Sequence, residues 1–340
     1  MAFTEIDKPN EYFNTVLYTG NGSTQSITGV NFTPDWIWFK VRSEVGSHRL
    51  VDAVRGNTKY LFSNGTDAEA TVTTNVTSFD SDGFSLGNGS VNENTRTYAS
   101  WNWLADNTSG SSNTDGSITS TVSANTTSGF SIVSYTGTGS SMSVGHGLSQ
   151  KPDIVIFKNR DAVVNWGVYT DLIDGSYDFL YLNETNAKGD SGSYSASANT
   201  FSFSASSTVA NTSGEKVIGY CFHSVKGFSK MGTYTGNGST DGPFIYTGFK
   251  PAWVMWKKYN NIEDWEVADN KRLGYNPSNY KLVPNSSSAE STSIRLDFLS
   301  NGFKIRSLGG PINASGDSFI YMAFAENPLV GTNNIPATAR

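Results

Sequence analysis

Cysteine occurs once in the 340 residues, at Cys221, so no intrachain disulfide can form. That residue lies in an apolar run and reads as a small buried hydrophobe, not a reactive thiol. Histidine occurs three times, at His48, His146 and His223. There is no His-Glu-x-x-His, no Cys-x-x-Cys and no His pair at ligand spacing, so no zinc site, other metal site or cofactor is expected. No Gly-x-Ser-x-Gly precedes a helical pattern, which removes the α/β-hydrolase elbow. Charged residues make up only 16% and the net charge is −6. Without a basic stripe, nucleic acid is not an expected partner. No apolar run approaches the ~20 residues that span a bilayer, so membrane insertion is not expected. Met1 to Lys8 holds no apolar signal core, which predicts no Sec export. The residues that favour helices are scarce, so long helices are not expected.

What the chain does have is one phrase written three times. It reads Tyr-Thr-Gly-x-Gly-Ser from Tyr18, from Tyr135 and from Tyr234. Each copy is followed by a Pro-led apolar run ending in lysine: Pro34 to Lys40, Pro152 to Lys158 and Pro251 to Lys257. A period of about 100 residues exceeds a solenoid unit of ~20–50 and matches a small β-domain. More landmarks recur in register: Leu61, Leu180 and Leu282; Asn64, Asn183 and Asn285; Asn92, Asn211 and Asn313. The Pro-led runs are apolar on both faces of a period-two pattern and read as strands buried on both sides, with the lysine returning its charge to water at the strand end. Turn signals every ~8–12 residues argue a sandwich. The expected fold is therefore all-β, as three tandem β-sandwich modules of jelly-roll or concanavalin-like type. The divisions are 1–105 with an N-terminal lead-in, a polar linker at 106–116, 117–224, 225–328, and a C-terminal arm at 329–340.

Chemistry is harder to find. Two carboxylates on a jelly roll make a common glycosidase design. Asp52 and Asp269 share one repeat position, Thr170 takes it in the second copy, and Asp171 follows. A position shared by two copies fits turn capping or ion pairing better than catalysis, so no catalytic residue is assigned. Asp80-Ser-Asp82-Gly83 could offer oxygens to calcium but reads equally as a β-turn. His48 aligns with Trp166 and Trp265, where an aromatic body is the shared requirement. Six of the eight tryptophans fall in apolar strands. Trp166 and Trp265, beside Asn165 and Asp264, are the candidates for stacking on a glycan.

Several long phrases resemble tandem-repeat virion structural proteins, tail-fibre-like, of marine and cyanobacterial tailed phages. They are Phe3 to Ile27, Gly46 to Gly56, Phe79 to Leu86 and Tyr321 to Pro328. The resemblance implies a non-enzymatic protein at the virion surface, assembled in the host cytoplasm. It would be a tail-fibre or receptor-binding component, or a capsid or tail decoration. Its implied partners are other virion proteins, further copies of itself in an assembly such as a trimer, and a host-surface glycan. A lectin-like module and a polysaccharide depolymerase using Asp171 or Asp269 are the alternatives. The second copy departs from the pattern at Val144 to Leu148 and at Asp161 to Asn165, which weakens any site common to all three.

Overall fold

The computed structural model describes residues 4–331. Strands hold 45% of the residues and helices 2%, so the protein is all-β. Every strand ladder is antiparallel. One four-strand arrangement is built three times. Its opening strands are Phe13–Thr19, Phe130–Thr136 and Ser229–Thr235. Each pairs with a closing strand, Thr97–Trp103, Lys216–Phe222 or Ser318–Pro328. The closing strand pairs with the Pro-led strand, Trp36–Val41, Ile154–Asn159 or Phe249–Lys258. A fourth strand completes the set, Arg49–Asp52, Gly167–Thr170 or Trp265–Asp269. Each set is accompanied by a second antiparallel sheet of three or four short strands.

Residues 106–116 are not a free linker. Ser111–Asn113 pairs with Ser120–Asn125 and extends the second repeat's sheet, which grows to eight strands. Backbone ladder bonds need no apolar side chain, so a polar run can be a strand at an edge. The described part of the N-terminal lead-in is also packed. Ile6 joins the central core, and the Tyr12 ring meets Phe228 of the third repeat edge-on at 5.9 Å. Of the C-terminal arm, residues 332–340 lie outside the described residues.

The Pro-led strands are buried on both faces, as their pattern predicts. Period-two alternation then sends their side chains to two different cores. Ile37 and Phe39, Val155 and Phe157, and Val254 and Trp256 point into a core private to each repeat. Trp36 and Trp38, Ile154 and Ile156, and Trp253 and Met255 point the other way, into one core shared by all three repeats. In that shared core the Trp36 ring stacks on Tyr220 of the second repeat, with centroids 4.4 Å apart. Phe13 stacks on Phe324 of the third at 5.1 Å. The repeats are thus arranged around a common centre, not strung in a line.

The thrice-written phrase has a structural account in full. Its tyrosine hydroxyl donates to the carbonyl one residue before the repeated asparagine: Tyr18 to Val91 at 2.7 Å, Tyr135 to Ala210 at 2.8 Å, Tyr234 to Ile312 at 2.9 Å. The asparagine side chain staples the turn from the other side. Asn92 Nδ2 donates to the carbonyls of Ser23 and Gly87, Asn211 to those of Ser140 and Ala205, and Asn313 to those of Ser239 and Ser307. The first glycine is required by crowding. A Cβ on Gly20, Gly137 or Gly236 would lie 2.2, 2.3 or 2.4 Å from a backbone oxygen. The second glycine is required by conformation, with φ of +68°, +70° and +65° at Gly22, Gly139 and Gly238.

Candidate functional site: the clasps between repeats

The shared centre is closed by three clasps, one between each pair of repeats, and each uses equivalent residues. The lysine ending each Pro-led strand points to the shared core and is buried. It donates across the boundary: Lys40 to the Ser287 carbonyl at 3.1 Å, Lys158 to Thr66 at 3.0 Å, Lys257 to Thr185 at 3.0 Å. Each also holds a carbonyl of its own following loop: Gly46, Val164 or Glu263. The expectation that these charges return to water is therefore wrong. The carbonyls of two loops replace water as hydrogen-bond acceptors. Burial still pulls each ammonium down to about 8.

Trp166 and Trp265 belong to the same clasps and are not available to a glycan. They are 0% and 2% exposed. Trp166 Nε1 donates to the Phe62 carbonyl at 2.9 Å, and Trp265 Nε1 donates to Tyr181 at 2.8 Å. His48 occupies the third equivalent place, with Nε2 3.0 Å from the Val283 carbonyl. Its Nδ1 accepts from Trp38 Nε1 at 2.8 Å, which fixes a neutral ring with the proton on Nε2. Burial, then the nearby Lys40 charge, holds its pKa well below the ordinary value. The polar neighbours that made the tryptophans look exposed have another purpose. Asn165 and Asp264 accept from Asn183 Nδ2 and Asn285 Nδ2, at 2.8 and 2.7 Å. A third cross-boundary bond is purely backbone: Glu69 N to Arg160 O, Lys188 N to Tyr259 O and Glu290 N to Arg42 O, at 2.8–2.9 Å.

Asp52 and Asp269, the acids of the shared repeat position, are committed to these boundaries. Asp52 Oδ2 accepts from Arg55 Nε at 2.5 Å and from Tyr220 OH of the second repeat at 2.7 Å. Arg55 reaches on to Glu69 at 3.1 Å, and Arg160 of the second repeat grips Glu69 through two bonds of 2.8 Å. Burial pushes the Glu69 carboxyl up, but the two guanidinium groups outweigh it and hold it below the usual range. The boundary between the third and first repeats copies this network. Asp269 binds Arg272 at 2.6 Å and Trp101 Nε1 at 3.1 Å, and Glu290 binds Arg272 and Arg42. Asp171, one residue after Thr170, pairs with Lys151. Asp80 accepts from Ser78 and Ser85 of its own hairpin, and Asp82 accepts from Gly29 and Asn31 of the loop at 29–31, so both carboxylates tie the turn to its neighbours. No group of three or more His, Cys, Asp or Glu residues that could hold a metal ion occurs among the described residues. His146 is buried, its pKa pulled by burial to about 4. Cys221 is buried as its context predicts, with its thiol pushed up to about 12.

Comparison with known families gives one match. The profile of a domain of unknown function, DUF7483, matches residues 8–328. The chain belongs to the DUF7483 family. That span covers all three repeats and both the first and last described strands. Searches of the curated proteins and of the solved structures returned no match to this DUF7483 protein.

The sequence search singled out Trp166, Trp265 and His48 but not their clasp role, and it assigned the clasp lysines and arginines to no site. The signal for the lysines was present, since Lys40, Lys158 and Lys257 recur in register. The signal for the arginines was an Arg three residues after each shared acid, at Arg55 and Arg272. The cross-boundary partners carry no local signal.

Proposed function

We propose that this DUF7483 protein is a structural component of a tailed-phage virion, carried on the particle surface as a tail-fibre or receptor-binding element or as a capsid or tail decoration. In this reading each repeat is one β-sandwich module of jelly-roll type, and the chain is a compact three-lobed block without catalytic duty. The observation that carries the proposal is the fate of the repeated residues. Every motif held in common by the three copies is spent on a turn staple, a core or a clasp. That economy suits a rigid building block. The resemblance of its long phrases to tailed-phage virion proteins supplies the setting. The three-lobed arrangement otherwise reached by a homotrimer is present within one chain, so association with other virion proteins can proceed by whole rings.

Labelling purified virions with a gold-tagged antibody tests the proposal. Gold at tail tip or fibres assigns the host-binding role, and gold over the head assigns decoration. Unlabelled virions, with an antibody that recognises the folded chain, would refute it.

A glycan-binding role is favoured by one observation. Phe244, Tyr246 and Tyr275 of the third repeat are exposed aromatic rings. Tyr246→Ala should lower retention on host polysaccharide with no change in unfolding midpoint. Equal retention by the variant would remove this surface from consideration.

A further inference from the structure

Three of the exposed large apolar residues are equivalent by repeat. Val45, Val163 and Ile262 each stand five positions after the clasp lysine, and each is about 70% exposed, at 71%, 70% and 70%. The loops around them differ: Ser43-Glu-Val-Gly, Asp161-Ala-Val-Val and Asn261-Ile-Glu-Asp. Core packing explains none of the three, because an exposed β-branched residue gains nothing from burial it does not have. Their shared feature is an exposed aliphatic tip, retained where the neighbours diverged.

The fold places all three tips at one end of the ring. Each follows the outgoing end of a Pro-led strand, and the lysine bonds at those ends repeat in cyclic order, Lys40 to Ser287, Lys158 to Thr66 and Lys257 to Thr185, so equivalent points share one level about the shared core. Among the described residues, the passages between repeats lie at the other end. Trp103 pairs with Trp36, and Phe222 with Ile154, at the incoming ends of the Pro-led strands. Thr4 is there too, hydrogen-bonded to Lys226. The tip end is crossed by neither passage.

The tips are also held rigidly. The buried lysine of each clasp binds a carbonyl adjacent to the tip: Gly46 at 2.7 Å, Ala162 at 3.3 Å and Val164 at 2.8 Å, and Glu263 at 2.6 Å. A fixed exposed apolar residue loses little freedom on binding, which is the condition for an anchor. An acidic residue lies within two positions of each tip: Glu44, Asp161 or Glu263. Arg96 pairs with Glu44 but also with Glu93, Lys258 with Glu263 but also with Asp317, and Asp161 accepts from the Lys216 backbone, so acid charge exceeds the base paired with it at these loops.

We infer that this end of the ring docks onto a three-fold symmetric protein partner, with Val45, Val163 and Ile262 entering three equivalent apolar sockets rimmed by basic side chains. Three like anchors around one centre match three like sockets. Simultaneous engagement makes the second and third contacts intramolecular. The acidic neighbours select the basic rim. This inference rests on the virion reading above and names the surface through which the ring is attached.

The test uses the full chain and virions assembled without it. Wild-type protein is added back alongside V45D, V163D, I262D and the triple variant, and bound protein is quantified. Unfolding midpoints of all variants should equal that of the wild type, because the three sites are exposed. Each single variant should weaken binding by about 30-fold, the loss of one hot-spot contact. The triple variant should not bind. Wild type and triple variant binding equally would overturn the inference and leave the virion reading intact. If the wild type also fails to bind, the virion reading fails, and this inference with it. Sedimentation supplies a further outcome. A wild-type dimer that the triple variant dissolves would assign the tips to a second copy of the chain and overturn the three-fold partner. Electron cryomicroscopy of intact virions gives an independent readout. The tip end seated on a three-fold axis of the particle supports the inference, and the tip end facing solvent refutes it.

Discussion

The boundary between the first and second repeats and the boundary between the second and third have the same backbone and opposite chemistry. Both have the lysine-to-carbonyl bond, the indole-to-carbonyl bond and the backbone bond. The first adds a buried chain of acid, arginine, acid and arginine. The second has none of it. Thr170 replaces the acid, Ile173 the arginine, Lys188 the second acid and Tyr259 the second arginine. The facing group changes as well, with Met322 where Tyr220 or Trp101 donates to the acid. Ile173 and Tyr259 pack on the shared core, and Lys188 turns back to Asp174, Asp178 and Asp190 of its own repeat. A cleft of about 580 Å³ opens at this second boundary, between Asn183–Thr185 and Asp264, Lys281 and Asn285. The lesson is that the common bonds and the apolar centre set the ring. The ion network is an interchangeable unit that is present whole or absent whole.

The largest expected effect breaks that unit in part. Arg55→Ile leaves Asp52 buried without its guanidinium and should cost about 3–5 kcal/mol, measured by urea unfolding. The variant D52T/R55I/Y220M instead installs the Thr, Ile and Met found at the second boundary and leaves Glu69 with Arg160. It should be more stable than Arg55→Ile alone, despite two further substitutions. A triple variant less stable than the single one would mean that the network is more than an interchangeable unit.

This comparison shows what was legible in the sequence. The repeat, the all-β class and the doubly buried Pro-led strands could be read because each depends on local pattern. Hydrophobic alternation and turn residues act within a few positions. The ring could not be read, because its bonds join residues such as Trp166 and Phe62, 104 positions apart, or Arg42 and Glu290, 248 apart. Trp166 and Trp265 misled for the same reason. Beside polar residues an indole looks exposed, unless the second lobe that covers it is known. The lysines misled because an ammonium is normally solvated, and carbonyls from two loops were needed to replace that water.

A smaller and more uniform effect is expected where the boundaries agree. Lys40→Met, Lys158→Met and Lys257→Met keep the side-chain length and remove the charge-assisted bonds. Each should lower stability by about 2 kcal/mol. Because the clasp is common to all three boundaries, the three losses should lie within about 1 kcal/mol of one another. A much larger loss at Lys257 than at Lys158 would show that the boundary lacking the ion network leans on its lysine more heavily.

The smallest effect separates the third boundary from the other two by pH. His48 stands where Trp166 and Trp265 stand, and only the histidine titrates. In the folded protein its ring is neutral, because Nδ1 accepts from Trp38 and burial disfavours the cation. In the unfolded chain it takes up a proton below about 6.5. The contribution is therefore whole above 6.5 and is lost as the pH falls, at up to about 1.4 kcal/mol per pH unit. His146, held at about 4, adds a loss of the same sign between 6.5 and 4. Replacing His48 alone by Trp would crowd Trp38, which fills the space that Ile156 and Met255 leave open at the other boundaries. Trp38→Ile with His48→Trp transplants the arrangement of the first boundary. This double variant should lose the His48 part of the acid slope between pH 6.5 and 5, leaving the loss due to His146 and the opposite contribution of Asp35, whose carboxyl burial raises to about 7. An unchanged slope would take the pH sensitivity away from the clasp.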